Sequence, residues 1–392
     1  MTMGLSHSLR EMPTGVWVLG LVSLFMDLSS EMIHSLLPVF LVTTLGASAT
    51  LVGVVEGLAE SLALIIKVFS GVVSDYLRNR KWLAVGGYGL GALSKPLFAV
   101  ASGVEIVLTA RLLDRVGKGI RGAPRDALVA DLTPVARRGA AFGLRQSLDT
   151  IGAFLGPILA VGFMLLWAED IRAVFWLAVL PAMVSVALLI FGIQEPAPPP
   201  SQTRTNPVCC ETLARLPPSY WSIVRIGVLF TLARFSEAFL VLRGQETGIS
   251  MALVPLVIMA MNIVYAGSAY PFGHLADRMS QTVLLRWGLL VLIAADLVLG
   301  LSVHWILVGV GVMLWGLHMG MTQGLLAAMV AQTAPAELRG TAFGLFNLAS
   351  GVAMLVASLV AGVMWDMLGP LWTFYSGAAF ATMALVALLE RP

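Results

Sequence analysis

Long apolar runs alternate with short polar breaks along this chain. The runs fall at about 15–42, 49–73, 82–103, 105–128, 138–166, 170–193, 221–246, 248–273, 281–302, 303–330, 339–364 and 370–390. A helix needs roughly 20 residues to cross a bilayer. In lipid it satisfies its own backbone groups, which irregular chain cannot do. The pattern therefore predicts an all-α membrane protein of twelve transmembrane helices, called spans 1–12 here. The longest break runs from Gln194 to Tyr220 and holds Glu195-Pro196-Ala197-Pro198-Pro199-Pro200, then Ser201, Thr203, Thr205 and Asn206. That is linker chemistry. It predicts a six-helix bundle over 1–194, a linker over 195–220 and a second six-helix bundle over 221–392.

Composition agrees. Hydrophobic residues make up 58% and charged residues 12%, with mean hydropathy +0.89. A soluble domain carries about 25% charge, so a soluble fold is excluded. A net charge of +2 gives no reason to expect a nucleic-acid partner. The two cysteines, Cys209 and Cys210, are adjacent in the linker. That spacing suits neither a structural disulfide nor a metal site. The first apolar run is too long for a cleavable leader and lacks a small-residue cleavage site.

Lys and Arg set the orientation, since they accumulate on the cytoplasmic side. With a cytoplasmic N-terminus, the inner loops and tails hold Arg10, Arg78, Arg80, Lys81, Arg137, Arg138, Arg204, Arg215, Arg278, Arg339 and Arg391. The outer side holds Arg172 and Arg243. Both termini and the linker are therefore expected in the cytoplasm, with the chain in a bacterial inner membrane.

The two halves repeat. Gly71-Val-Val-Ser-Asp75 recurs as Gly273-His-Leu-Ala-Asp277, 202 residues later. Pro134-Val-Ala-Arg-Arg-Gly-Ala-Ala-Phe-Gly-Leu144 recurs as Pro335-Ala-Glu-Leu-Arg-Gly-Thr-Ala-Phe-Gly-Leu345, 201 residues later. Two motifs at one offset indicate a duplicated six-helix unit, an arrangement known among secondary transporters.

On these motifs the sequence resembles the major facilitator superfamily over essentially its whole length. The loop from Gly71 to Lys81 is similar to that family's G-x-L-A-D-R-x-G-R-K motif, with Tyr76 where Arg is usual and Arg78 where Gly is usual. Gly273-His-Leu-Ala-Asp277-Arg278 is closer to the consensus. Span 4 has Arg115-x-x-x-Gly119, similar to R-x-x-x-G, and Arg111 is an alternative holder of that role. Span 5 has Gly152-Ala-Phe-Leu-Gly156-Pro157, similar to the G-x-x-x-G-P motif of the family's antiporters. The resemblance implies two pseudo-symmetric halves working by alternating access. It implies a cytoplasmic gate at Asp75, Arg80, Asp277, Arg278, Arg138 and Arg339. Gly152 and Gly156 are expected to allow close helix contact, and Pro157 to bend span 5.

Ionisable residues at bilayer depth carry the functional expectation, because each is costly unless it faces a partner or a cavity. Asp27, Glu31 and His34 share one face of span 1. Glu56, Glu60 and Lys67 share a face of span 2, and Arg111, Arg115, Lys118 and Arg125 form a stripe on span 4 with Asp114 at its shoulder. Span 5 adds Arg145 and Asp149, and span 7 adds Arg234 and Glu237. At the repeat offset the second half loses most of these: Arg115 becomes Gly316, Arg125 becomes Leu326 and Glu60 becomes Asn262. The first half is expected to handle protons, through Glu31, Asp27 and Asp149. Substrate contacts are expected from Arg115, Arg111, Arg145, Arg234, Glu237, His34, Asn262, Tyr265, His318 and Asn347.

The leading expectation is a proton-coupled efflux carrier: a monomer acting on a small-molecule substrate and protons in the bilayer, without cofactor or metal. The alternatives are an uptake symporter for an organic anion, suggested by the basic stripe, and a transition-metal carrier using His318 with Met319 or Met321. No catalytic triad, metal-ligand spacing or phosphate loop points to an enzyme.

Overall fold

A computed structural model of the chain describes residues 12–77, 79–134, 137–194, 216–276, 279–322, 325–335 and 338–389. Among the described residues all regular structure is helical. The helices are α1 (Thr14–His34), α2 (Ala49–Leu77), α3 (Arg80–Val100), α4 (Val104–Asp131), α5 (Arg138–Leu166), α6 (Ile171–Gly192), α7 (Pro218–Leu232), α8 (Ala238–Glu246), α9 (Pro255–Ala276), α10 (Gln281–Leu301), α11 (Trp305–Thr322), α12 (Leu325–Thr333), α13 (Arg339–Leu368) and α14 (Pro370–Leu389). A short helical segment, Leu37–Val39, and a π-helical turn, Phe40–Thr44, follow α1.

Ten stretches among the described residues are long and apolar enough to cross a membrane. The other two expected spans fall short for different physical reasons. α4 is too charged, carrying seven ionisable residues between Arg111 and Asp126. Span 7, expected to be continuous over 221–246, is broken between α7 and α8. Chain order places no Gly or Pro at the break, so local propensity gives no cause. Instead the loose backbone finds side-chain partners: Ser236 N–H donates to Ser358 Oγ at 3.2 Å, and Ala238 N–H donates to Ser236 Oγ at 3.2 Å. Unpaired backbone groups are tolerated at membrane depth only when protein satisfies them in this way.

The chain forms two compact units. The first comprises 1–36 with 66–201, and the second 37–65 with 202–392. In the first, α1 packs on α5 and α6, and α3 packs on α4 and α6. Serine hydroxyls pin α1 to α6: Ser29 Oγ donates to Ala178 O at 2.6 Å and Ser185 Oγ to Val22 O at 2.7 Å. The core between these helices holds Val16, Leu19, Val22, Met26, Tyr88 and Leu189. In the second unit α10 packs on α11 and α14, and α9 on α11. Its centre is aromatic: Phe235 lies 5.3 Å from Trp315 and 5.6 Å from Phe239 and Phe374, centroid to centroid. Outward-facing positions such as Leu166, Phe191, Leu301 and Met367 remain exposed and apolar, as a lipid-facing surface requires.

Candidate functional site

Glycines bring α3 and α4 together before any charge matters. A Cβ on Gly87 would stand 2.8 Å from Gly117 O and from Arg121 N, so the two backbones touch. Close approach of this kind is the usual service of small residues between membrane helices. It places Lys95 of α3 against α4. Lys95 Nζ donates to Asp114 Oδ1 at 2.8 Å and to Ser30 Oγ of α1 at 3.0 Å. Asp114 Oδ2 also has Arg115 Nε at 3.8 Å and Arg111 Nη1 at 3.9 Å. Lys95, Arg111, Asp114 and Arg115 are all 4% exposed or less. One buried carboxylate thus gathers three cations from α3 and α4, and Lys95 ties the cluster to α1.

Further along α4 the contacts loosen. Arg121 lies over the Tyr88 ring at 4.7 Å and reaches Asp27 of α1 at 4.0 Å. Arg125 bonds Asp126 at 3.0 Å and Ser23 Oγ at 3.4 Å, and approaches Asp149 of α5 at 3.9 Å. Arg145, one turn before Asp149, reaches it at 3.7 Å and bonds Gln146 at 2.6 Å. Asp27 and Asp149 are close enough to interact with each other. Their side chains are 25% and 20% exposed, against 4% for Asp114. Glu31 is 22% exposed and has His34 Nδ1 at 3.9 Å.

The Gly152–Gly156 face of α5 packs on this same stretch of α1. A Cβ on Gly152 would fall on the Leu24 carbonyl, and one on Gly156 would stand 2.6 Å from Glu31 Cβ and 3.0 Å from Leu28 O. Pro157 lies within α5, one residue on. The motif therefore seats the backbone that carries Asp27 and Glu31.

In the second unit, Arg234 and Glu237 fall inside the break of span 7, and with Tyr265 of α9 they are close enough to interact electrostatically. Arg234 lies 5.7 Å from the Phe230 ring, which in turn is 5.4 Å from His318. His318 is fully buried, with Nδ1 2.7 Å from Gly288 O. Asn262 and Asn347 are half-buried on α9 and α13. Glu56 and Glu60 belong to this unit rather than to the one holding α4. No group of three potential metal-ligating His, Cys, Asp or Glu residues occurs among the described residues.

Of the expected gate residues, Arg80 pairs with Asp131 at the end of α4. Asp277 and Arg278, and the side chains of Asp75, Arg138 and Arg339, lie outside the described set, as do Cys209 and Cys210. Sequence reasoning missed Lys95, Arg121, Tyr88 and Asp296. A signal existed for Lys95, the only charge between Trp82 and Glu105. Nothing in one sequence marks which side of α4 it meets.

Ten apolar spans among the described residues, together with a charge-bearing helix packed on α3, describe a polytopic membrane protein. A family model described as Major Facilitator Superfamily matches residues 19–244 and 226–392. The chain belongs to that superfamily. It is 31% identical over 387 residues to the uncharacterized MFS-type transporter MJ1317 of Methanocaldococcus jannaschii, covering 97% of this chain and 95% of that protein. It is 30% identical over 172 residues to the multidrug resistance protein MdtH of Edwardsiella ictaluri, covering 44% and 42%. The crystal structure of a peptide transporter POT in complex with sulfate superposes with a TM-score of 0.78 over 96% of this chain and 93% of that one, at 16% identity. That likeness concerns the fold alone.

Proposed function

We propose that this transporter is a proton-coupled antiporter that exports a small molecule across an inner membrane, with both termini cytoplasmic and the monomer as the working unit. One arrangement carries the coupling: Asp27 and Asp149 lie close enough to interact, each with a cation at 3.7–4.0 Å. Two neighbouring carboxyl groups resist joint ionisation, so such a pair is suited to holding one proton. Both are partly exposed, and the cations around them stand at 3.7–4.0 Å. The pair can exchange its proton without dismantling a tight ion pair. Asp114, clamped and buried, is the wrong carboxylate for that task. Glu31 completes the acidic face of α1, held to His34. Export is supported by the G-x-x-x-G-P face seated on α1 and by the partial match to MdtH.

The test uses everted vesicles with an imposed pH gradient. Substrate should release protons from the vesicle interior in the native protein, and Asp27→Asn or Asp149→Asn should abolish that release while substrate counterflow persists. Release that survives both substitutions sinks the coupling assignment.

A second reading is favoured by a separate observation. The charged network of the first unit carries seven cations, Lys95, Arg111, Arg115, Lys118, Arg121, Arg125 and Arg145, against five acids, Asp27, Glu31, Asp114, Asp126 and Asp149. A net basic site at membrane depth suits an organic anion, which a proton symporter would take up. Uptake that rises with external acidity would support it, and uptake indifferent to pH would remove it.

A further inference from the structure

Asp296 lies on α10 in the second unit, with 0% exposure. Among the described residues neither of its carboxyl oxygens has a hydrogen-bond partner. Its neighbours are apolar. A Cβ on Gly377 of α14 would stand 2.7 Å from Asp296 Oδ2 and 2.9 Å from Phe235 Cε1. The carboxyl and the ring therefore crowd one glycine face. Phe235 is itself part of the break between α7 and α8.

The titratable and charged groups on the elements packed around Asp296 are engaged elsewhere. His318 of α11 faces Gly288 O, two turns earlier on α10. Arg243 of α8 bonds Leu299 O, Ser302 and Glu246. Arg234 and Glu237 flank Phe235 within the break, and Tyr375 of α14 lies against Gly300, one turn beyond Asp296. None forms an ion pair with Asp296 among the described residues. Trp315, tilted against the same Phe235 ring, has an Nε1–H without an acceptor among the described residues.

An ionised carboxylate here would have neither cation nor donor, and burying such a charge is prohibitive in protein or lipid. A metal cation would need several oxygen ligands, and a ring edge and a glycine face supply none. A proton needs only the carboxyl itself. We propose that Asp296 is a proton-binding site of the second unit, whose occupancy sets the packing of the span 7 break through Phe235 and Gly377. The site is distinct from the Asp27–Asp149 pair and requires neither that pair's role nor a direction of transport.

The experiment is infrared spectroscopy of the purified full chain in nanodiscs. Protein labelled with carbon-13 aspartate should show a neutral, non-hydrogen-bonded carboxylic-acid carbonyl stretch at neutral pH. Asp296→Asn should lose it, and Asp27→Asn should keep it. Native protein without that band overturns the proposal with no variant needed, as does an Asp296→Asn protein that retains it. A second readout is thermal stability. The apparent Tm of the native protein should fall relative to that of Asp296→Asn as pH rises, since only the native residue can ionise on unfolding. A gap indifferent to pH overturns the proposal. Stabilisation by sodium over potassium at fixed ionic strength, lost in Asp296→Asn, would replace the proton by a cation and overturn it too.

Discussion

Replacing Asp114 with Asn keeps the shape of the side chain and removes its charge. Three cations then remain, each 4% exposed or less, short of their shared counter-charge. Each contact near 3.8–3.9 Å is worth roughly 4 kcal/mol in gross Coulomb energy at an effective dielectric near 20. Desolvation offsets most of that, but breaking a buried ion pair from one side still costs about 3–5 kcal/mol. Lys95→Met should cost less, on the order of 1.5–3 kcal/mol for a charged hydrogen bond, because Asp114 keeps two arginines. The double variant removes one of the three cations that lost this counter-charge. It should be more stable than the sum of the single losses implies, by about 0.5–3 kcal/mol. Unfolding of the purified protein in detergent, by heat and by SDS titration, measures all four species. The reasoning fails if Asp114→Asn unfolds with the native protein, or if Lys95→Met is the more damaging change.

Other consequences are as direct. Asp366 accepts from Ala49 N–H at 3.0 Å and Thr50 N–H at 2.8 Å, capping α2 from the end of α13; Asp366→Ala should cost about 0.5–2 kcal/mol, read as a lower unfolding midpoint, and an unchanged midpoint would refute the cap. Gly156→Ala drives a methyl against Glu31 Cβ and the α1 backbone, so it should destabilise by about 1–3 kcal/mol and lower transport. Gly162→Ala on the same helix meets nothing within 4 Å and should be neutral or mildly stabilising, since Ala is the better helix former by about 1 kcal/mol. Equal effects at the two glycines would show that the packing face is not what α1 depends on.

Hydrophobic periodicity was enough to find the helices, because lipid imposes one length and one satisfaction rule on every span. It was enough for the α4 stripe too, since residues four apart on a helix share a face whatever surrounds them. It could not choose partners. Asp27 meets Arg121 rather than Arg115 because the α1–α4 contact is fixed by glycines on α3 and by serines reaching α6, both remote in sequence. The break at Arg234–Glu237 was equally hidden. Leu232-Ala-Arg-Phe-Ser-Glu237 has no helix breaker, and the stretch is held open by a hydroxyl 122 residues away. Glu56 and Glu60 share a helix with Lys67 yet fall in a different compact unit, a boundary set by packing and invisible in periodicity.

Counting charges in the membrane does not identify the ones that work. Asp114 has the most cations near it and the least exposure, and those same contacts make it a structural anchor: any change in its charge removes a counter-charge from three neighbours. Asp27 and Asp149 have fewer and longer cation contacts, more exposure, and each other. A group that must change state in every transport cycle needs neighbours that tolerate both states, and a partly exposed carboxyl pair with cations just beyond hydrogen-bond length meets that condition. The shortest cation contact of each acid, 2.8 Å at Asp114 against 3.7–4.0 Å at Asp27 and Asp149, is therefore the reason we propose Asp27 and Asp149, and not Asp114, for the proton.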